Sequence, residues 1–174
     1  MPRLRTVLVL AVAVSTLASP AGASSRRPAS RSAALAAAVA AQANLVRAQH
    51  GLRPLRISVQ LDQAADAHTL EMARVGYFSH SSANGTAFWL RIRRYYRAAG
   101  FRYWSVGENL LWASPDVGAA GAIRMWLQSP EHRANLLSSQ WRELGVSVVH
   151  VSRAGGVYGG RPVTIVTSDF GVRR

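Results

Sequence analysis

Two histidines and one glutamate occupy sequence contexts that suit binding or catalysis. His80 follows "YFS" in a segment rich in turn-forming residues, and His132 falls within "SPEHR" at the start of a short predicted helix. Glu108 follows a glycine and precedes the apolar "LLW" in a chain with only eight acidic residues. Irregular backbone beside small polar residues often carries functional groups. His80, Glu108 and His132 are therefore the candidate site residues.

The position of His132 favours a neutral imidazole. Ser129 and Pro130 are typical of a helix start, which places His132 at about the third helical position. The positive end of the helix dipole disfavours the imidazolium there. A neutral ring can accept a proton or bind a metal. Three hypotheses stay open for the cluster: a histidine- or metal-dependent hydrolase, a divalent metal site, and a set of hydrogen bonds that only braces the fold.

The other three histidines have simpler interpretations. His50 lies at a predicted helix end, where it can interact with the last carbonyls, and His150 lies on an alternating strand. His68 falls within a helix near Glu71 and is expected to be packed or paired rather than a ligand. The chain has no cysteine, no serine in a nucleophile elbow and no zinc signature such as H-E-x-x-H. The sequence therefore marks no catalytic nucleophile.

Helical and strand patterns define the elements that must position these residues. Helices are predicted from about 33 to 50, 59 to 74, 86 to 100 and 114 to 128, followed by a short turn from Ser129. In the third helix, Phe88, Ile92 and Tyr95 predict a core face with solvated arginines opposite. "GENLLWA" predicts a strand or extended edge, and "ELGVSVVHVS" and "RPVTIVTSDFG" predict an antiparallel hairpin. Helices followed by strands indicate an α+β domain.

The first 23 residues have the parts of a secretory signal peptide. Arg3 and Arg5 precede an apolar run from 7 to 18, and Ala21-Gly22-Ala23 supplies an A-x-A cleavage pattern. We expect cleavage near Ala23, a flexible basic leader over 24–33 and one domain over 34–174. No apolar run reaches the ~20 residues needed to cross a bilayer. The sequence therefore predicts a secreted, extracytoplasmic protein without a transmembrane anchor.

A formal net charge of +13 restricts the partners. Removing Arg3 and Arg5 with the signal peptide lowers the charge by two, which still favours anionic cell-wall polymers, lipid head groups or nucleic acid. The arginines are scattered and no base-reading motif is present, so a nucleic-acid partner is not expected. We expect a monomer that binds a lipid, a cell-wall polymer or another anionic envelope polymer.

Several separate motifs occur in the order found in the CAP superfamily, also called SCP-like proteins. This family includes the cysteine-rich secretory proteins, antigen 5 and the plant pathogenesis-related proteins. The resemblance covers roughly residues 40–171, and the cysteine-free bacterial extracytoplasmic branch is the most similar. The matching segments are "ANLVRAQHGLRPL", "LDQAADAHTLEMARVGYFSH", "GENLLWA", "MWLQSPEHRANLL", "ELGVSVV" and "DFG".

The resemblance implies a three-layer α/β/α sandwich with a central antiparallel sheet and a cavity that holds two histidines and two glutamates. The histidine of "FSH" becomes His80, the glutamate of "GEN" becomes Glu108, and the histidine of "SPEHR" becomes His132. The second family glutamate follows a helix tryptophan by three residues, and counting from Trp126 gives Ser129 here. Binding of zinc or magnesium is therefore expected to be weaker than in the family, or completed by water.

The family is better known for binding than for catalysis. Some members carry sterols or fatty acids, some bind divalent metal, and some are associated with proteolysis. The resemblance implies a secreted, non-enzymatic binding module for a divalent metal, a lipid or a cell-envelope ligand. An extracellular hydrolase and a structural domain braced by its polar cluster are the alternatives.

Overall fold

Helices and strands follow one another largely as the sequence patterns predict. The computed structural model describes residues 30–174, so the predicted signal peptide and residues 24–29 of the predicted leader lie outside it. No helix in this range is long and apolar enough to span a membrane. The elements are α1 (Arg31–Gln49), β1 (Arg56–Ile57), α2 (Val59–Val75), α3 (Phe88–Tyr95), β2 (Trp104–Ala113), α4 (Ala119–Gln128), α5 (Pro130–Leu136), β3 (Glu143–Ala154) and β4 (Arg161–Arg173).

The four strands form one mixed sheet in the order β1-β3-β4-β2. The predicted hairpin is confirmed, since β3 pairs antiparallel with β4, and β2 pairs antiparallel with the other side of β4. β1 adds a parallel pairing of only two residues to the start of β3. The sheet is therefore antiparallel at its centre and mixed at one edge.

Helices cover both faces of the sheet, which confirms the α+β class and the three layers. On one face, α1 and α4 pack with β3 and β4 in a core that includes Val39, Trp126 and Phe170. On the other face, α2 and α3 contribute Leu61, Met72 and Ile92 to two smaller clusters. Alternation along β2 sends Glu108 and Leu110 toward the second face and Asn109 and Leu111 toward the first. This alternation decides which layer each site residue reaches.

The third and fourth helices are shorter than the patterns predict. α3 ends at Tyr95, because the carbonyl of Tyr96 accepts the indole N–H of Trp104 (2.8 Å) as the chain leaves the helix. Tyr96 is fully buried and Tyr95 is exposed, so the prediction of Tyr95 on the core face is wrong by one position. α4 begins only at Ala119, since the Ser114 hydroxyl donates to Pro162 O instead of capping a helix.

A fully buried arginine joins α1 to the segment that carries His132. The guanidinium of Arg47 donates to the carbonyls of Leu136 and Ser138 at the end of α5 (2.8 and 3.0 Å), and to that of Arg53 (3.1 Å). These carbonyls lie at a helix end and in a turn, where the backbone lacks its own partners. Arg47 therefore fixes the C-terminal end of α5.

Candidate functional site

Glu108 and His80 are in direct contact. The side chain of Glu108 is 1 % exposed, and the Nδ1–H of His80 donates to Glu108 Oε1 at 2.8 Å. Arg91, on α3, donates from Nη2 to the other carboxylate oxygen. A carboxylate only accepts hydrogen bonds, so the His80 proton in this contact lies on Nδ1. Nε2 is then the ring nitrogen left for a ligand or a proton.

The loop that carries His80 is held by two buried side chains. The Nε2–H of His68 donates to the carbonyl of Ser79 (2.9 Å), and Arg91 donates from Nη1 to the carbonyl of His80 (3.0 Å) and to Ser82 Oγ (3.2 Å). The side chain of His80 is nevertheless 52 % exposed. The structure therefore presents His80 to solvent while its loop is fixed from beneath.

His132 is positioned by an asparagine network on the opposite face of β2. The Asn109 amide donates to the carbonyl of His132 (3.0 Å), and the Asn135 amide donates to Asn109 Oδ1 (3.0 Å). A Cβ at Gly107 would lie 2.5 Å from Asn135 Oδ1, so this approach of α5 to β2 requires glycine. The network ties the start of α5 to β2.

The pKa of the His132 imidazole lies below its ordinary value, in the predicted direction. Burial is the largest cause, the neighbouring His80 also lowers this pKa, and Glu131 raises it. His132 occupies the third helical position, as predicted. The side chain of Ser129 does not cap α5, and its hydroxyl instead donates to Glu131 (3.3 Å). Burial and His80, rather than the helix start, account for the lowered pKa of His132.

Asp169 is the principal site residue that the sequence analysis missed. It lies opposite Glu108 in the β2–β4 register and is fully buried. Burial raises the pKa of the Asp169 carboxyl well above its ordinary value, and Glu108 raises it further. Within residues 30–174 no donor reaches the Asp169 oxygens, which fits a protonated carboxyl that itself donates to Glu108. An acidic residue in an alternating strand suggests a solvent-facing position, and only the strand pairing reveals its burial.

The three predicted metal ligands do not form a three-ligand set. Between residues 30 and 174 no group of three or more histidine, aspartate and glutamate side chains is arranged to hold a metal ion. Both oxygens of Glu108 are engaged, one by His80 and one by Arg91. Glu108 instead takes the position of an outer partner that orients a ligating histidine. Zinc or magnesium binding stays a prediction, and two imidazoles suit zinc better than magnesium.

A cavity of about 560 Å³ adjoins this site between α2, α3 and the loop that carries His80. Arg74, Arg91 and Arg94 line it together with Glu71. Arg91 is buried and bound to Glu108, whereas Arg74 and Arg94 are exposed and form no ion pair with any residue from 30 to 174. The cavity therefore has one fixed guanidinium at its wall and two that are free to bind an anion. The remaining lining residues are Ala67, Leu70, Ser82, Asn84, Thr86 and Tyr95.

The other histidines lie where the sequence analysis expects them. His50 contacts the carbonyl of Val46 at the end of α1 (2.9 Å), and His150 is exposed on β3 beside Thr164 (3.1 Å). His68 is fully buried, and burial lowers the pKa of its imidazole. Its role is to hold the loop before His80, which confirms the packed interpretation.

Comparisons with known proteins agree with the fold. The sequence model of the family described as "CAP: Cysteine-rich secretory protein family" matches residues 40–170. YkwD, an uncharacterized protein of Bacillus subtilis, is 30% identical over 107 residues, which is 61% of this chain and 39% of YkwD. The chain thus spans about two fifths of the length of this relative.

Two solved structures are also similar. An extracellular protein containing an SCP domain from Bacillus anthracis gives a TM-score of 0.63 at 28% identity, over 82% of this chain and 41% of that one. An outer surface protein from Borrelia burgdorferi gives a TM-score of 0.60 at 20% identity, over 78% of this chain and 90% of that one. The second likeness shows the fold alone.

Proposed function

Since this chain belongs to the CAP family, the cysteine-rich secretory proteins, we propose that it is a secreted binding protein without catalytic activity. Its ligand is an anionic polymer of the cell envelope that carries phosphate or carboxylate groups. The ligand enters the arginine-lined cavity next to the His80–Glu108 pair. The observation that carries the proposal is that three guanidiniums line one cavity. Those of Arg74 and Arg94 are exposed and form no ion pair with any residue from 30 to 174, and that of Arg91 is held by Glu108.

Arginine suits this ligand for geometric reasons. Its planar guanidinium binds carboxylate and phosphate with two parallel hydrogen bonds, and such charge-assisted bonds are stronger than neutral ones. Arg74 on α2 and Arg94 on α3 reach the same cavity from two helices. Ser82, Asn84 and Thr86 add neutral donors on the loop side. A polymer that presents repeated anionic groups fits this pattern better than a purely apolar ligand does.

The outer face of α3 extends the positive charge beyond the cavity. Arg93 and Arg94 on α3, with Arg97 just after the helix, line a second depression that adjoins the first cavity through the shared residue Arg94. In a chain of net charge +13, this face adds a long-range attraction for anionic polymers that salt screens. The cavity supplies the specific contacts and the α3 face supplies the attraction.

An extracellular location supports the same proposal. The first 23 residues have the pattern of a secretory signal peptide. The similar protein from Bacillus anthracis is described as extracellular. A basic protein delivered there is attracted to the anionic polymers of the envelope.

One observation favours an alternative, a histidine-dependent hydrolase. The His80–Glu108 contact orients an exposed imidazole in the manner of a general base. Against this alternative, no hydroxyl of residues 30–174 hydrogen-bonds to the ring of His80 or His132. A hydrolase would therefore need an activated water. Hydrolysis that persists after replacement of both histidines by alanine would remove them from any mechanism.

Co-sedimentation with purified envelope fractions tests the proposed function. We expect the full chain to bind at about 50 mM salt and to dissociate largely at about 500 mM, because screening becomes strong across this range. Fractions stripped of phosphate polymers, of carboxylate polymers or of lipid separate the three sources of charge. Binding that is absent, or that does not change with salt, would contradict the proposal.

A further inference from the structure

The outer edge of β3 is largely without a paired strand. β1 pairs only with Glu143 and Leu144, and among residues 30–174 no strand lies beside β3 beyond them on that side. An uncovered strand edge presents a row of backbone donors and acceptors that can pair with another chain. The segment Val146–His150 therefore has an outer edge that no described strand pairs, although Val146, Ser147 and Val148 are themselves buried.

The register identifies which backbone groups point outward. The carbonyl of Arg142 accepts from the N–H of Arg56 in β1, and the carbonyl of Leu144 accepts from the N–H of Ser58, just after β1. The even-numbered residues of β3 therefore direct their N–H and C=O groups away from β4. At the first uncovered position, the N–H of Val146 donates to Asp62 Oδ1 (2.9 Å). At the next such position, Val148, no residue in the described range supplies a partner. The Asp62 side chain thus takes the place of the missing strand at Val146, whereas the backbone of Val148 has no partner among the described residues.

A cavity of about 770 Å³ follows this edge. All five residues from Val146 to His150 line it, although successive strand residues face opposite sides of a sheet. The cavity must therefore lie along the strand edge rather than over one face. Helices from both outer layers form its walls. The α1 wall is made largely of small side chains that leave the space open: Ala33, Ala36, Ala37, Ala40 and Ala41.

The α2 wall carries negative charge in an otherwise basic protein. Asp62 and Asp66 both line the cavity, and Asp66 is exposed and forms no ion pair with any residue from 30 to 174. Leu70 on α2 and Ile57 on β1 add exposed apolar surface to the same cavity. The groove thus combines unpaired backbone groups, apolar surface and a local acidic group.

We propose that this groove binds an extended segment of a partner polypeptide, which pairs with the outer edge of β3 and places a basic side chain beside Asp66. Five residues of β3 span about 16 Å, so the paired segment has about five residues. An acyl chain cannot satisfy the backbone groups of Val148. A second folded copy carries a like charge of +13, and its own strand edge cannot enter a groove walled by two helices. This groove shares only Leu70 with the lining of the arginine-lined cavity, and the proposal does not depend on the function proposed for that cavity.

A peptide titration tests the groove. The probes are two acetylated and amidated heptapeptides, one with arginine followed by alternating threonine and valine, the other with the arginine at its C-terminal end. Fluorescence anisotropy of labelled peptides measures binding to the full chain, and amide hydrogen exchange at Val148 reports pairing. We expect one of the two peptides to bind and to protect that amide. Failure of both at millimolar concentration would overturn the proposal.

Matched variants localise the binding. Ala37→Arg places a long side chain in the groove, and Ala38→Arg adds the same charge to an exposed α1 position that does not line it. We expect Ala37→Arg to weaken binding at least about tenfold and Ala38→Arg to have little effect. A peptide with glutamine in place of its arginine measures the contribution of the basic side chain. We expect Asp66→Asn to bind the arginine and glutamine peptides equally. Glu131→Gln removes one negative charge outside the groove and serves as the control.

Two further probes distinguish the type of ligand. Only one alternate set of peptide N–H groups faces the strand edge, so one peptide is N-methylated at its odd residues and another at its even residues, and we expect binding to be lost in one of the two. Oleate tests the groove as a lipid site. Equal binding of the methylated and parent peptides, or binding of oleate with no binding of peptide, would contradict strand addition.

Discussion

Glu108 and Asp169 lie directly opposite each other on neighbouring antiparallel strands, and both side chains are buried. Two carboxyl groups in such a position do not both ionise readily, because like charges in a low dielectric repel strongly. Arg91 and His80 stabilise the Glu108 carboxylate. Burial and the neighbouring Glu108 both raise the pKa of Asp169, so this carboxyl keeps its proton to a higher pH than a solvated aspartate does. The orientation of His80 depends on the Glu108 carboxylate, whose Oε1 accepts its Nδ1–H.

Asp169→Asn tests this arrangement, because the amide mimics a protonated carboxyl and can still donate to Glu108. The raised pKa means that the folded chain keeps this proton at a pH where the unfolded chain has released it. The free energy of unfolding therefore falls as pH rises between the two pKa values, by up to about 1.4 kcal/mol per pH unit. Urea unfolding from about pH 4 to about pH 8 should show a smaller fall in the free energy of unfolding for Asp169→Asn than for the parent. Identical pH dependence of the two proteins would show that Asp169 ionises normally.

Arg91→Ala should destabilise the fold strongly. The side chains of Arg91 and Glu108 are 6% and 1% exposed, so the substitution leaves a buried carboxylate without its cationic partner. We expect a loss of about 3–5 kcal/mol in the free energy of unfolding, measured with urea at neutral pH. Arg93→Ala, on the exposed side of the same helix, should change it by less than about 0.5 kcal/mol. Similar losses for the two variants would mean that the pair contributes little.

The pKa of His132 should respond to His80. Burial and His80 both lower it, so we expect His80→Gln to raise the His132 pKa partway toward its ordinary value. NMR titration of the histidine ring protons with EDTA present measures this directly, and His150→Gln is the matched control on an exposed histidine.

The same shift has a consequence for stability. The unfolded chain takes up the His132 proton at a higher pH than the folded chain does, so stability falls as pH decreases from about 7 to about 5. His132→Gln should reduce that fall when unfolding is followed with urea. In the NMR titration described above, an unchanged pKa of His132 in the His80→Gln variant would show that the two rings do not interact.

Zinc binding is expected to depend on both imidazoles and to be weak. With Glu108 engaged by Arg91 and His80, at most two of the three predicted ligands reach a metal, and water must supply the rest. Calorimetric titration of metal-free protein should show zinc uptake that His80→Gln and His132→Gln each abolish and His150→Gln leaves intact. Zinc uptake that survives both single substitutions would place the metal elsewhere, and tight uptake of magnesium would contradict the imidazole site.

The sequence predicted the helices and strands around the site better than the contacts within the site. Local patterns were enough to place α1, α2, α5 and the β3–β4 hairpin, because their periodicity and turn residues act over short distances. The contact between His80 and Glu108 could be expected from the family resemblance. Arg91 and Asp169 could not, since each looks solvated in its own segment and becomes buried only when α3 and β4 pack against β2. The shift of the α3 core face from Tyr95 to Tyr96 has the same tertiary origin.

The binding function is tested most directly by calorimetric titration of the full chain with poly(glycerol phosphate) at physiological salt. Arg74→Gln combined with Arg94→Gln removes two charges from the cavity, and Arg124→Gln combined with Arg153→Gln removes two exposed charges that do not line it. Losing charge-assisted hydrogen bonds should weaken binding by the cavity variant at least about tenfold, and the control should stay within about threefold of the parent. Equal affinities for the two double variants would contradict the account, because binding would then follow net charge rather than the cavity.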